Sequence, residues 1–139
     1  MRVKNWMKRI ITPGGLLLSL GLLPGCLIVD DDNGRDPIGT LEVRWTIDGA
    51  TDPLDCVDFS ADRLELRVYE GGDLVDEVEP FCEDFGIAID LFDGIYDGEA
   101  TLVDSRDRAV TLTEPLDEID IIGGTILTID VDFPLGSFL

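Results

Sequence analysis

Residues 41–47 read LEVRWTI, a run in which apolar and polar side chains alternate without interruption. Successive side chains of a β-strand point to opposite faces of its sheet, so this run predicts a strand with one buried and one solvated face. The same period of two residues returns in residues 63–69 and in residues 125–133. No window shows a sustained helical period of 3.6 residues, and the sequence therefore predicts an all-β domain.

Turn-forming residues separate the apolar runs at short intervals. Gly71-Gly72, Asp93-Gly94 and Gly123-Gly124 each stand between two runs, and residues 104–107 form a further tight turn. Many short strands with regular turn signals are typical of a single antiparallel β-sandwich of about seven strands, here over residues 39–139. The candidate strands occupy residues 41–47, 63–69, 73–78, 85–91, 96–103, 109–112, 119–122 and 125–133.

The composition limits the classes of function. The 139 residues carry 30 acidic and 10 basic side chains, for a formal net charge of −20, and contain no histidine. A nucleic-acid-binding face needs clustered lysine and arginine, which this chain lacks. Without histidine there is no Ser/His or Cys/His catalytic pair and no imidazole metal ligand. The sequence therefore predicts an acidic domain that is not an enzyme and needs no cofactor.

The charge is distributed unevenly along the chain. Four of the ten basic residues lie within the first nine positions, and no acidic residue precedes Asp30. A mostly apolar run over residues 10–23 follows the basic segment, and the small residue Gly25 follows this run. A basic segment, an apolar run and a small residue in that order are typical of a secretory signal peptide. Residues 1–25 are therefore predicted to direct export.

Leu23-Pro24-Gly25-Cys26 resembles the lipobox of bacterial lipoproteins. The resemblance implies that Cys26 receives a diacylglyceryl group and that residues 1–25 are cleaved off as a lipoprotein signal peptide. Residues 26–38 then form an acidic tether, and the acylated Cys26 makes the lipid bilayer a partner, with an envelope protein as a further one. Leu27 stands where aspartate retains some lipoproteins at the inner membrane, so the outer membrane of a bacterial cell envelope is favoured. An uncleaved membrane anchor and a freely secreted protein are the alternatives.

Cys56 and Cys82 remain as a pair if Cys26 carries lipid. Exported proteins fold in an oxidising compartment, so the pair predicts a disulfide. A reactive thiol or a metal-binding pair is the alternative. Acidic residues flank both cysteines and would raise the pKa of a thiol, which disfavours the reactive thiolate.

The abundant carboxylates allow two further functional interpretations. Asp90, Asp93 and Asp97 surround a predicted hairpin turn and could supply the paired carboxylates of a glycosidase. The acidic loops at residues 52–62 and at Glu83–Asp84 could bind Ca²⁺ weakly through oxygen ligands, although no ordered ligand motif is present. Exposed carboxylates are normal at turns, so a solvated acidic surface is the favoured interpretation of both groups, and no metal site is predicted.

A strand with Trp45 is followed in order by Cys56, Cys82, LFDGIY at residues 91–96 and LVD at residues 102–104. This order looks like that of small secreted lipoproteins with an immunoglobulin-like or transthyretin-like sandwich. The resemblance implies the same sandwich fold for most of the chain after the tether. Some related sandwiches bind carbohydrate, and others act as spacers in surface proteins.

Carbohydrate sites expose aromatic side chains on one face of the domain. Tyr69, Phe92 and Tyr96 are the candidates for such stacking groups, whereas Trp45 lies in the inward register of its strand. The sequence therefore predicts a membrane-anchored envelope lipoprotein whose non-catalytic acidic sandwich acts as a structural or protein-interaction module. A Ca²⁺- or carbohydrate-binding module is the alternative.

Overall fold

The computed structural model of the protein describes residues 37–139. The predicted signal peptide, the predicted lipidation site Cys26 and residues 26–36 of the predicted tether lie outside these described residues. The described part contains seven strands, one short helix, α1 (Pro53–Asp58), and two single-turn 3₁₀ helices, Cys82–Asp84 and Leu135–Ser137. The strands are β1 (Ile38–Ile47), β2 (Arg63–Glu70), β3 (Asp73–Val78), β4 (Gly86–Phe92), β5 (Gly94–Val103), β6 (Glu114–Ile121) and β7 (Ile126–Phe133).

The seven strands form two sheets that share one core. The smaller sheet has the strand order β4-β1-β7, and the larger sheet has the order β3-β2-β5-β6. The predicted all-β sandwich is confirmed. One pair departs from the predicted antiparallel arrangement, because β1 and β7 run parallel, with Thr40 opposite Ile126 and Ile47 opposite Phe133. Parallel neighbours need a long crossover connection, which the segment from β2 to β6 provides here.

The distribution of the strands between the sheets bears on the predicted resemblance. In an immunoglobulin constant domain the first strand shares its sheet with the second, fourth and fifth strands. Here the first strand shares its sheet with the fourth and seventh strands. The strand order therefore differs from that of an immunoglobulin constant domain.

The core is formed by the inward-facing side chains of both sheets. Leu41, Val43, Trp45 and Ile47 of β1 are at most 1% exposed, so the inward register predicted from LEVRWTI is confirmed. Burial of one large apolar side chain stabilises a fold by about 1.5–3 kcal/mol. The larger sheet contributes the fully buried Leu64, Leu66, Val68, Leu102 and Ile119 to the same core.

Residues 109–112 do not form the predicted strand and make isolated bridges instead. Ala109 is bridged to Val103, and Thr111 to Phe138. The buried Thr111 hydroxyl accepts a hydrogen bond of 3.1 Å from the backbone N–H of Leu102. The segment is therefore held between β5 and the C-terminal residues by single contacts rather than by a ladder. The following strand is longer than predicted and begins at residue 114 instead of 119.

The long loop after β1 contains a helix, α1, that the periodicity of the sequence does not predict. The Asp52 carboxylate caps this helix by accepting a hydrogen bond of 2.9 Å from the N–H of Leu54, and Pro53 occupies the first turn. Both are common start signals of helices. The helix has only six residues, which is too short to show a helical period. The helix α1 places Cys56 in the core.

Candidate functional site

The predicted disulfide between Cys56 and Cys82 is present, with an S–S distance of 2.06 Å. It joins α1 to the 3₁₀ helix between β3 and β4, and its cysteines are 4% and 1% exposed. Both sulfur atoms are committed to this bond and buried in the core. The pair is therefore a structural link, and the alternatives of a reactive thiol and of a metal-binding pair are set aside.

Acidic residues of the two loops that were considered as weak Ca²⁺ sites cap or form short helices. Asp52 caps α1, and Glu83 and Asp84 belong to the 3₁₀ helix that carries Cys82. Within residues 37–139, no three acidic or cysteine side chains are placed so that they could hold a metal ion. The described loops therefore offer no preformed set of metal ligands.

Asp90, Asp93 and Asp97 each take part in a local hydrogen bond of the sandwich. Each is exposed, and each accepts a hydrogen bond from a different element. The donors are the Thr40 hydroxyl to Asp90 at 2.8 Å, the Gly123 N–H to Asp93 at 2.9 Å and the Glu118 N–H to Asp97 at 3.4 Å. The first two of these bonds brace the end of the sandwich at which β1 begins.

Asp104 closes the predicted turn at residues 104–107. Its carboxylate accepts hydrogen bonds from the backbone N–H of Arg108 at 3.0 Å, from the Arg108 Nε at 2.9 Å and from the backbone N–H of Arg106 at 2.9 Å. These bonds, chiefly the one from the Arg108 backbone, lower the pKa of Asp104 to about 2. A carboxylate with such a pKa stays ionised at neutral pH and is a poor proton donor, so its role here is to hold the turn.

An apolar cleft of about 310 Å³ lies between β3 and β4, the edge strands of the two sheets. We call it the β3–β4 cleft. The residues that line it come from five strands, so only the folded sandwich brings them together. They are the apolar Ile38, Val75, Leu91, Phe92 and Tyr96 and the acidic Glu70, Asp76 and Asp90.

The apolar lining of the β3–β4 cleft has a buried part and a solvent-exposed part. Leu91 and Tyr96 are buried, and the Tyr96 hydroxyl donates a hydrogen bond of 2.8 Å to the carbonyl oxygen of Phe92. Ile38 and Phe92 are each 55% exposed, and Val75 is 46% exposed. Apolar side chains from three different strands therefore meet water around one opening, an arrangement that marks binding surfaces more often than scattered single residues do.

The three aromatic residues predicted as stacking candidates do not share one exposed face. Tyr69 is half-buried on the larger sheet, where its hydroxyl donates a hydrogen bond of 3.2 Å to the Glu99 carboxylate. Tyr96 belongs to the core, as does Trp45. Of the three candidates, Phe92 alone exposes more than half of its surface. No aromatic platform of the kind that carbohydrate sites use is formed by these residues.

The carboxylates of the β3–β4 cleft have no compensating positive charge among the described residues. Residues 37–139 contain 5 arginines against 26 acidic side chains, a formal net charge of −21. No arginine lines the cleft. The ion pairs of the described residues engage other carboxylates and leave out Glu70, Asp76 and Asp90. The cleft therefore combines apolar surface with a local excess of negative charge.

Asp76 is the signal in the sequence that could have revealed the cleft. It lies opposite the buried Val68, so it shares the inward register of β3 with Val78, which lies opposite the buried Leu66. Its side chain is half-buried, and its carboxylate accepts a hydrogen bond of 2.9 Å from the N–H of Glu77. A charged residue in the inward register marks an edge strand whose inner face is open to water.

No protein-family model matches this sequence, and neither does any curated protein. Solved structures similar to it include a leucine-rich repeat protein from Bacteroides thetaiotaomicron, with 14% identity and a TM-score of 0.48 over 70% of this chain and 12% of that chain. A second is GBS52, the minor pilin of Streptococcus agalactiae, with 13% identity and a TM-score of 0.45 over 72% of this chain and 45% of that chain. A third is a DUF3823 family protein from Parabacteroides merdae, with 20% identity and a TM-score of 0.37 over 69% of this chain and 46% of that chain.

The chain spans less than half the length of each of these three bacterial proteins. Because all three TM-scores are below 0.5, we draw nothing about function from these likenesses. Within residues 37–139, no helix has the length and apolar character that crossing a membrane requires.

Proposed function

We propose that the protein is a lipid-anchored lipoprotein of the bacterial cell envelope, at the outer membrane, whose acidic β-sandwich is a non-catalytic protein-interaction module. In this proposal Cys26 carries the lipid, and residues 26–36 join it to the sandwich. The partner is another envelope protein that docks on the sandwich.

The β3–β4 cleft is the observation that supports a role in protein interaction. Ile38, Val75 and Phe92 expose apolar surface around it, and the neighbouring carboxylates are not neutralised by described residues. Interfaces commonly combine an apolar centre with a polar rim, and uncompensated charges select a partner of opposite sign. At about 310 Å³ the cleft lies at the lower end of the volume range of small-molecule pockets, and its exposed apolar side chains favour binding of a protein segment over catalysis.

Export and anchoring are supported by two independent features. The Cys56–Cys82 disulfide suits an oxidising compartment such as the envelope. The basic and apolar leader ends in Leu23-Pro24-Gly25-Cys26, which resembles a lipobox. Two or more acyl chains on Cys26 would make membrane attachment stable, since each buried methylene adds about 0.8 kcal/mol.

Mass spectrometry of the membrane fraction tests the anchor. The full chain is expressed in a bacterium that processes lipoproteins, beside a Cys26→Ala variant. We expect an acylated N-terminal Cys26 peptide from the first chain and loss of processing in the variant. Recovery of the intact Met1 peptide, with an unmodified Cys26, would contradict the lipoprotein proposal.

Site-specific photo-crosslinking in the native envelope tests the interaction. A photoreactive amino acid is placed at Phe92, in the β3–β4 cleft, and for comparison at Asp130, an exposed position of β7. We expect one discrete protein adduct from position 92 and none from position 130. Absence of an adduct at position 92, or the same adducts from both positions, would argue against a partner at this site.

A further inference from the structure

We infer that the free edge of β4 binds an extended segment of a partner protein, in which lysine or arginine alternates with apolar residues, by adding that segment to the smaller sheet as a fourth strand. The inference rests on the proposed interaction function and deepens it, since it states how the partner binds and what chemistry it has. Strand addition uses main-chain hydrogen bonds for affinity and side-chain pockets for specificity.

The larger sheet is protected against strand addition at both of its edges. On β3, Val75 has no partner on β2 because the register shifts there, and Asp76 lies in the inward register. On β6, Pro115 cannot donate to a neighbouring strand, and Glu118 has a φ of +56° at the point where the pairing with β5 shifts. Bulges, prolines and inward-facing charges are the features by which proteins block their sheet edges.

The β4 edge has none of these features. Its seven residues, GIAIDLF, pair with β1 in one unbroken antiparallel register and contain one charged residue and no proline. The other edge strand of this sheet, β7, is also regular, but it carries two acidic residues and lies against β6 at the closed side of the sandwich. A regular, mostly apolar edge strand beside an open cleft is a template for an incoming strand.

The pairing with β1 shows which backbone groups of β4 are free. In an antiparallel pair, hydrogen-bonded positions alternate with positions whose N–H and C=O groups point away from the partner strand. The N–H of Trp45 donates a hydrogen bond of 3.2 Å to the carbonyl of Phe85, just before β4, which fixes the phase of this alternation. Ala88 and Asp90 therefore direct both of their backbone groups away from β1, toward the free edge.

The chemistry of the β3–β4 cleft defines the incoming segment. Side chains of an added strand alternate between the two faces of the sheet, so every second one is directed into the cleft. The inward-facing Leu91 and the partly exposed Val75 favour apolar side chains there. Asp90, on the outer face of β4, favours lysine or arginine at the alternate positions, and Glu70 and Asp76 add negative charge at the cleft. The segment is therefore both basic and apolar.

A second copy of this chain fits the β4 edge poorly. Two described domains would meet with a formal charge of −21 each. Glu83 and Asp84 precede β4 and Asp93 follows it, so antiparallel pairing of two β4 strands would bring these acidic residues together. Like charges across a strand pair are destabilising. Charge complementarity thus selects a basic partner segment.

The test uses the full chain in mild detergent and a fluorescein-labelled peptide, Lys-Val-Lys-Leu-Lys-Val-Lys, as the probe. Fluorescence anisotropy measures its affinity, and hydrogen exchange measures protection of individual amides. We expect saturable binding that weakens as salt is raised, with new protection at Ala88 and Asp90 and none in β7. The charge-reversed peptide Glu-Val-Glu-Leu-Glu-Val-Glu should not bind.

Matched proline variants separate edge pairing from mere attraction between charges. Ala88→Pro removes a free N–H of β4 without removing a hydrogen bond to β1. This variant should bind the probe peptide about tenfold more weakly than the unaltered chain. Thr128→Pro makes the equivalent change on the β7 edge and should leave the affinity within about twofold. Asp90→Asn should weaken binding, whereas Asp130→Asn should change it little. Circular dichroism and the intact disulfide confirm that each variant is folded.

Equal affinities of the two proline variants, or protection spread over both edges, would overturn the inference. So would a dimer of the unmodified chain in sedimentation analysis that Ala88→Pro dissociates, because β4 would then be occupied by a second copy. The proposed function has a separate readout. If the chain binds the probe peptide but shows neither an acylated Cys26 nor a crosslinked partner, the proposed function is contradicted. The inference that β4 binds a basic segment is then still supported.

Discussion

The indole Nε1–H of Trp45 donates a hydrogen bond of 3.0 Å to the carbonyl oxygen of Cys82. Both residues are 1% exposed. The bond therefore connects the central strand of the smaller sheet directly to the segment that carries the disulfide. A backbone carbonyl that is buried so deeply needs hydrogen-bond donors, and the indole is the nearer of two, since the N–H of Phe85 donates a longer bond of 3.4 Å to the same oxygen.

Replacement of Trp45 by phenylalanine tests this connection. The Trp45→Phe variant keeps an aromatic ring but loses the N–H, leaves the Cys82 carbonyl without its indole partner and removes packing contacts. We expect the free energy of unfolding to fall by about 2–4 kcal/mol, measured by urea denaturation. The control is Tyr69→Phe, which removes a partly exposed hydroxyl and should cost no more than about 0.5 kcal/mol. Similar losses in the two variants would contradict the stated role of the indole.

Removal of the disulfide should destabilise the domain without changing its fold. Cys56 and Cys82 are separated by 26 residues, and closing a loop of this size stabilises a protein by about 3–4 kcal/mol in the chain-entropy model. We expect Cys56→Ala/Cys82→Ala to lose about that much in urea denaturation. Addition of dithiothreitol should lower the midpoint of the unaltered chain to the same extent and leave the variant unchanged. An unaltered midpoint in the variant would show that the loop is already held by its other contacts.

The start of β1 is packed too closely for a side chain at Gly39. A Cβ atom there would lie 2.6 Å from the Ile122 carbonyl oxygen and 2.8 Å from the Ile121 side chain. We expect Gly39→Ala to lower the free energy of unfolding by about 1–3 kcal/mol, as overpacked positions do. The matched control is Gly136→Ala, because a Cβ at Gly136 would meet nothing within 4 Å. Thermal melts of the two variants measure the difference, and equal midpoints would rule out the crowding at Gly39.

Asp104 makes the stability of its turn depend on pH in the acid range. Its pKa is lowered from 3.8 to about 2 in the folded protein, chiefly by the hydrogen bond from the Arg108 backbone. A depressed pKa means that the stabilising contribution is fully present above about pH 4 and is lost as the pH falls toward 2. We expect a carboxyl ¹³C titration of Asp104 to show a midpoint near 2. The stability of Asp104→Asn should change less than that of the unaltered chain over the same range, and a titration midpoint near 4 would show that the turn hydrogen bonds do not persist in solution.

The strands that alternate cleanly were predictable from the sequence. β1 and β7 each have an apolar face and a polar face, and glycine pairs mark the turns before β3 and β7. The parallel pairing of β1 with β7 was not predictable, because the period of a strand shows which face is buried but not which neighbour it has. α1 was missed because a helix of six residues is too short to show a period. The 109–112 segment was overpredicted because its alternation reflects single contacts to Val103 and Phe138.

The disulfide could be predicted from the sequence, whereas the β3–β4 cleft could not. Once Cys26 is assigned to lipid, only Cys56 and Cys82 remain to pair. The cleft is built from residues of five strands in two sheets, and nothing in a local pattern places Ile38 beside Val75. Asp76 is the one local irregularity at this site, and its meaning depends on knowing that β3 is an edge strand.

The parallel pairing of β1 with β7 also governs how the protein can be assembled. Thr46 and its hydrogen-bonded partner Asp132 are 86 residues apart in the chain. Contacts between such distant residues form slowly, because closing a long loop costs conformational entropy before the contact is made. One side of the β1 strand therefore stays unpaired until the last strand has been synthesised and has arrived. During that interval the central strand of the smaller sheet is open to association with other unfolded chains, so conditions that slow the docking of β7 should promote aggregation.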